Sequence, residues 1–207
     1  MGMRVMARVT AIVAASALLV SLVSGCRTTN IAGDYSLDPT KNTGVAVVSL
    51  TMSGLPSGFN MFINYRGVDV DHKSSVPVSD LFASADWRCP FLGTATEAEP
   101  CGRLAVIELQ PGEYEFHSWQ GGAGGAPGGF TTSVRSIKEF SKRFRVLKGK
   151  AVYLGNIHFS VEQPRFLVGQ GTYTMKISDL RDRDLGLLRA KHPNVTQDLL
   201  VVSILQN

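Results

Sequence analysis

Apolar and polar residues alternate with a period of two along much of the stretch from residue 45 to residue 177. That period belongs to half-buried strands, whose successive side chains point to opposite faces. In "AVVSLTMSG" (46–54), Ala46, Val48, Leu50 and Met52 share one face. In "FNMFINYRG" (59–67), Phe59, Met61, Ile63 and Tyr65 alternate with Asn60, Asn64 and Arg66, and "SGLPSG" (53–58) is a turn signal between the two runs. "RLAVIELQ" (103–110) is apolar on both faces, as a central strand is, and "EYEFHSW" (113–119) sets Tyr114 and Phe116 opposite Glu113, Glu115 and His117. "KRFRVL" (142–147) and "KAVYLGNIHF" (150–159) are joined by "KGK", a tight turn, and "TYTMKI" (172–177) alternates through Tyr173, Met175 and Ile177. Short strands divided by Gly- and Pro-bearing turns predict a mostly β fold, an antiparallel sandwich or barrel.

The period changes near the end. In "SDLRDRDLGLLRAKHP" (178–193), Ser178 or Asp179 suits an N-cap, and Leu180, Leu187 and Leu188 fall roughly on one helical face. Lys191 and His192 suit the negative C-terminal end, and Pro193 stops the run. This predicts one helix over 179–191, covering an edge or an open end of the sheets. The apolar "LLVVSIL" (199–205) reads as a last strand. Residues 27–44 have no apolar period and many small polar residues, so 26–44 reads as a tether ahead of a domain at 45–207.

The first residues have another logic. Arg4 and Arg8 precede an apolar run at 9–23. A membrane-spanning helix needs ~20 apolar residues, so this run suits the core of an export signal. It ends in Val23, Ser24, Gly25 and Cys26. That tetrad resembles the bacterial lipobox: a branched or small apolar residue, two small residues, then Cys. The resemblance implies that the Cys26 thiol accepts diacylglycerol, that the leader 1–25 is cut between Gly25 and Cys26, and that the new amino group is acylated. Two or more chains give stable attachment at ~0.8 kcal/mol per buried CH₂. Arg27 stands where an Asp would resemble an inner-membrane retention signal, so the expected location is the outer membrane, facing the periplasm.

Removal of the leader leaves 182 of 207 residues, enough for one domain with a sizeable core. The net charge of +4 drops by the two leader arginines, so charge gives no argument for nucleic acid as a partner. Of three cysteines, Cys89 and Cys101 remain, bracketing the polar loop "CPFLGTATEAEPC". Disulfides persist in exported proteins, so a Cys89–Cys101 bond is expected. A metal pair is the weaker alternative, since two thiols without a nearby His make a poor site.

Candidates for chemistry are few. "DVDHK" holds Asp69, Asp71 and His72 but lacks the offsets of a calcium loop, and reads as an exposed turn. "QGGAGGAPGGF" (120–130) lacks the Gly-Lys-Ser/Thr of a phosphate loop and reads as a hairpin loop, its functional version one that orders on a partner. His117 and His158 lie on strands, and Ser118 points away from its neighbour His117. There is no Gly-x-Ser-x-Gly elbow. "IKEFSKRFR" (137–145) places Phe140 and Phe144 inward and reads as a solvated strand face, with lipid headgroups or an anionic glycan at Lys142, Arg143 and Arg145 as its functional alternative. "NVT" (194–196) matches a glycosylation acceptor and is set aside for a bacterial chain.

"LQPGEYEF" (109–116) and "VLKGKAVYLGNIHF" (146–159) resemble exported β-sandwich modules of the transthyretin-like and carboxypeptidase-regulatory-like kind. "DLRDRDLGLLRAKHP" (179–193) is similar to the acidic, Arg-containing helix of such envelope lipoproteins. The resemblance implies a transthyretin- or Ig-like sandwich with binding or structural roles and no catalytic residues. The expectation is a lipid-anchored, non-catalytic envelope module, without metal or cofactor beyond the acyl chains, whose protein or glycan partner meets an aromatic patch around Trp87, Trp119 and Phe130. The alternatives are an envelope enzyme with a site assembled from distant residues, or an accessory subunit of an envelope complex.

Overall fold

The structure is a computed structural model that describes residues 30–54, 59–79, 86–87, 96, 98–123, 132–135, 140–165 and 170–206. The expected leader 1–25, Cys26, Cys89, Phe130 and most of the Gly-rich loop lie outside the described residues. Ten strands occur among those described: β1 (Gly44–Ser53), β2 (Phe59–Gly67), β3 (Lys73–Ser79), β4 (Cys101–Leu109), β5 (Gly112–Ala123), β6 (Thr132–Arg135), β7 (Lys142–Val146), β8 (Ala151–Arg165), β9 (Gln170–Ser178) and β10 (Leu200–Val202). One α-helix, α1 (Arg181–Lys191), precedes a short 3-10 turn (Gln197–Leu199) and β10.

The strands form two five-stranded sheets. The first runs β4–β1–β8, and the far side of β8 is shared by β10, along Ala151–Tyr153, and β9, along Asn156–Arg165. The second runs β3–β2–β5, and the far side of β5 is shared by β7 and β6. Neither sheet closes into a barrel. Pro77 sits in β3, at an edge, where a missing N–H costs no ladder bond.

The expectation of antiparallel pairing throughout needs correction. β1 runs parallel to β8, and so does β10. Parallel neighbours require a long connection, and β1 and β8 are separated by the whole of the second sheet. The "KGK" turn does bend the chain, with Gly149 at φ +64, but it joins β7 in one sheet to β8 in the other instead of closing a hairpin.

One apolar cluster draws on both sheets: Ala46, Val48, Leu50 and Met52 of β1 meet Phe59, Met61, Ile63 and Tyr65 of β2, with Tyr114 and Phe116 of β5 and Leu154, Ile157 and Phe159 of β8. A second cluster lies on the other side of the first sheet, where Val45, Val47, Leu104, Val106 and Tyr153 pack under Leu185 and Leu188 of α1. The helix thus covers a sheet face. Its buried residues are Asp184, Leu185 and Leu188, while Leu180, expected inward, is exposed. It starts two residues later than expected, with Asp179 Oδ1 accepting the Arg181 N–H at 3.1 Å.

"RLAVIELQ" is apolar on both faces, yet β4 is an edge strand, because other segments cover its free side. Trp87 bridges Gly102 with paired backbone bonds of 3.0 and 3.1 Å. Asp86 Oδ2 accepts the Leu104 N–H at 2.7 Å, and Ile31 N–H donates to Val106 O at 3.0 Å. The described part of the expected tether therefore lies on the body. Leu37 is buried, and Ile31 and Tyr35 pack against the second cluster. Edge backbone groups attract any chain able to pair with them, and here the N-terminal stretch does so.

Candidate functional site

β1 is buried along its entire length, so the polar residues on its helix-facing side, Ser49, Thr51 and Ser53, need partners inside the protein. β8 supplies them through a bulge. Val47 faces Tyr153 but Ser49 faces Asn156, so β8 spends one residue more than β1 over the same step. Gly155 takes the strain at φ +91, where a Cβ would lie 3.0 Å from the Ser178 carbonyl oxygen. The extra residue puts Tyr153, Asn156 and His158 on the helix side and leaves Leu154, Ile157 and Phe159 for the shared core.

A continuous hydrogen-bonded network results. Tyr153 and Ser49 hydroxyls donate to Asp184 Oδ2 at 2.7 and 2.6 Å, and Arg183 Nε donates to Asp184 Oδ1 at 2.8 Å. Asn156 Oδ1 lies 2.9 Å from Ser49 Oγ and 3.1 Å from Thr51 Oγ1. His158 stands between Thr51 Oγ1, 2.8 Å from Nδ1, and Ser53 Oγ, 3.1 Å from Nε2. Ser53 also reaches Ser160 at 3.3 Å. The Arg183 guanidinium carbon sits 4.0 Å from the Trp87 ring centroid, a cation–π contact that holds the charge over the network.

Proton counting assigns the direction at Asp184. Ser49 has one hydroxyl hydrogen, and its 2.6 Å contact to the carboxylate is the charge-assisted one. Arg183 Nη2 donates to Ser49 Oγ at 3.2 Å and to Asn156 Oδ1 at 3.4 Å, and the donor and acceptor roles among Thr51, His158 and Ser53 go with the imidazole tautomer. Burial, followed by the bond to Asp184 and its charge, pushes the Tyr153 phenol well above its ordinary value, so it stays a donor. His192, buried past the end of α1, is pushed down by desolvation, the Ala32 carbonyl 3.2 Å from Nδ1 opposing this in part.

A serine hydroxyl aimed at a histidine nitrogen is the contact a nucleophile and its base make. Here the group at the other nitrogen is the Thr51 hydroxyl, and Asp184 is reached through Asn156 and then Ser49 or Arg183. The arrangement orients His158 and ties α1 to β1 and β8 across a face that would otherwise be apolar. A groove of about 270 Å³ opens beside it, lined by Leu185, Leu188, Pro193, Val195 and Leu200 with Arg189 and Gln197.

The sequence candidates are dispersed. Trp119 does not belong to an exposed patch: it is 3% exposed and part of the shared core. Strict alternation sets Trp119 on the side away from Tyr114 and Phe116, but β5 bulges at His117, where Tyr65 faces Phe116 and Asn64 faces Ser118. A one-residue slip reverses the face of every later side chain. Trp87 is half-buried beneath Arg183. His72 stacks on Tyr65 with centroids 5.5 Å apart, while Asp69 Oδ1 accepts the Glu113 N–H at 2.6 Å. Among the described residues no group of three His, Cys, Asp or Glu is placed to hold a metal. Phe144 is buried and Phe140 packs against the core, leaving Arg143 and Arg145 exposed. Cys101 is fully buried at the start of β4.

The sequence pattern does not single out Ser49, Thr51, Asn156 and Asp184 as site residues. Their trace in the sequence is slight: three alternate hydroxyls in one apolar strand, and an Asp beside a Leu on a helix's inner face. The chain matches no protein-family model and no curated protein.

Proposed function

We propose that the chain is a cell-envelope lipoprotein whose body is a β-sandwich of the transthyretin- or Ig-like kind, serving as a non-catalytic binding or structural module. The leader 1–25 is removed, Cys26 carries diacylglycerol and an N-acyl chain, and the protein rests on the outer membrane facing the periplasm. The observation that carries this reading is the tetrad Val23, Ser24, Gly25 and Cys26 closing an apolar run behind Arg4 and Arg8. The two sheets and the cluster they share support the sandwich. The network under α1 supports the structural role, since hydroxyls, amide, imidazole and carboxylate satisfy one another. A Cys89–Cys101 disulfide closing the loop ahead of β4 belongs to the same reading.

Replacement of Cys26 by Ala tests the anchor. The variant is expected to lose incorporation of labelled palmitate and to leave the membrane fraction. A variant still processed and still membrane-bound overturns the reading.

The Ser53–His158 contact favours a second reading, an envelope hydrolase with Ser53 as nucleophile. A fluorophosphonate probe distinguishes the two: labelling that vanishes in Ser53→Ala favours the enzyme, and no labelling favours the module.

A further inference from the structure

We propose that the protein lies against the phospholipid surface with one flank inward: the covered edge of β4 and the segment from Asn30 to Ser36. The inference rests on the lipid anchor proposed above and goes beyond it, because it names the face.

The residue that sets the geometry is Asn30. Its side-chain amide imitates a strand, with Nδ2 donating to Leu104 O at 3.0 Å and Oδ1 accepting the Val106 N–H at 3.1 Å. Ile31 continues with its own bond to Val106 O. From the other side, Asn194 Nδ2 donates to Asp34 O at 3.1 Å, and His192 Nδ1 meets Ala32 O. Tyr35 closes the segment by donating to Glu108 Oε1 at 2.9 Å, and Leu37 is buried. The chain is thus clamped to the body from Asn30 onward.

Only Arg27, Thr28 and Thr29 separate this clamp from Cys26. Four Cα steps span at most ~14 Å. A compact body of 182 residues has a radius of gyration of ~16 Å and a diameter of about 40 Å. An arm of ~14 Å is shorter than the body is wide, so the far side cannot turn to the bilayer. A free arm running from Cys26 to Gly44 would reach ~60 Å and leave every face available. The occupant of this flank is therefore the headgroup layer of the membrane that holds the acyl chains.

The test uses full-length lipidated protein in phosphatidylethanolamine–phosphatidylglycerol vesicles containing a headgroup quencher. A fluorophore is attached at Asp34→Cys, on the clamped segment, or at Arg143→Cys, on β7 at the opposite edge of the other sheet. Both side chains are exposed, so neither substitution disturbs packing. Quenching at residue 34 is expected to exceed that at residue 143 several-fold. Insertion of a Gly/Ser linker of fifteen residues between Thr29 and Asn30 is expected to abolish the difference. Equal quenching without the linker overturns the proposal; a difference that survives the linker supports the same flank and overturns the short arm as its cause. An unacylated Cys26, read by mass spectrometry of the mature N-terminus, overturns the anchor and this inference together. An acylated Cys26 with equal quenching overturns this inference alone.

Discussion

The Tyr153 hydroxyl donates to the Asp184 carboxylate across 2.7 Å, and both side chains are fully buried. One belongs to the middle strand of a sheet, the other to the helix lying over it. The same carboxylate takes a bond from Ser49 and one from Arg183, so three elements of the chain converge on one charge. Loss of the Tyr153 donor alone, in Tyr153→Phe, is expected to cost ~1.5–3 kcal/mol, the value of a hydrogen bond to a charged group. Asp184→Ala strands Arg183 and two hydroxyls and is expected to cost ~3–5 kcal/mol. Urea unfolding reads both, and equal midpoints for the two variants would show that the carboxylate does not organise the network.

Gly155 is expected to tolerate no side chain. Ala at φ +91 is strained, and its Cβ would press on the Ser178 carbonyl at 3.0 Å and on Ile204 at 3.3 Å. Gly155→Ala should lower stability by ~1–3 kcal/mol. A variant as stable as the parent would mean that the bulge moves along β8 without cost.

His192 makes stability fall on acidification. Its folded pKa lies below the unfolded value near 6.5, because burial opposes the charged form. The unfolded chain then binds the proton more readily, so this contribution is present above about pH 6.5 and is lost as pH falls toward the folded value. His192→Asn should flatten the decline in denaturation midpoint between about pH 7 and pH 5. Parallel profiles for variant and parent would refute this.

At the alkaline end the sign reverses. Tyr114, desolvated and near Tyr65 and Asp69, is pushed up to about 12, and Tyr153 is raised as well. Their contribution is present below the ordinary tyrosine value near 10 and is lost as pH climbs through the folded values. The phenolate absorbance of Tyr114 and Tyr153 should therefore appear well above pH 10, together with unfolding. A single unperturbed transition near 10 would contradict the burial of both rings.

Denatured, unreduced protein should show no thiol that reacts at residues 89 and 101. Replacement of both by Ser is expected to cost ~3 kcal/mol, the entropy of a loop of that size. Two reactive thiols in the parent would exclude the bond.

How legible the fold was depends on the type of information. Strand β2 and the starts of β5 and β7 follow from alternation, because one buried face imposes a period of two on the chain itself. β3 and β6 carry too few apolar residues to stand out, and β6 is held by pairing to a Gly-rich stretch of β5. Alternation alone misplaces Trp119 because a bulge is a property of two strands together: nothing in "EYEFHSW" marks His117 as the extra residue.

The amino-acid sequence alone determined the mostly β composition, the helix before Pro193, and the residues that read as leader and anchor, since each depends on local periodicity or on a contiguous motif. Only the tertiary structure decided that β1 and β8 run side by side, that Ser49, Asn156 and Asp184 meet beneath α1, and that the expected tether is clamped from Asn30. Those relations join residues up to 160 positions apart. They arise from which edge is left to be covered and which buried polar group needs a partner, and such needs exist only once the sheets are assembled.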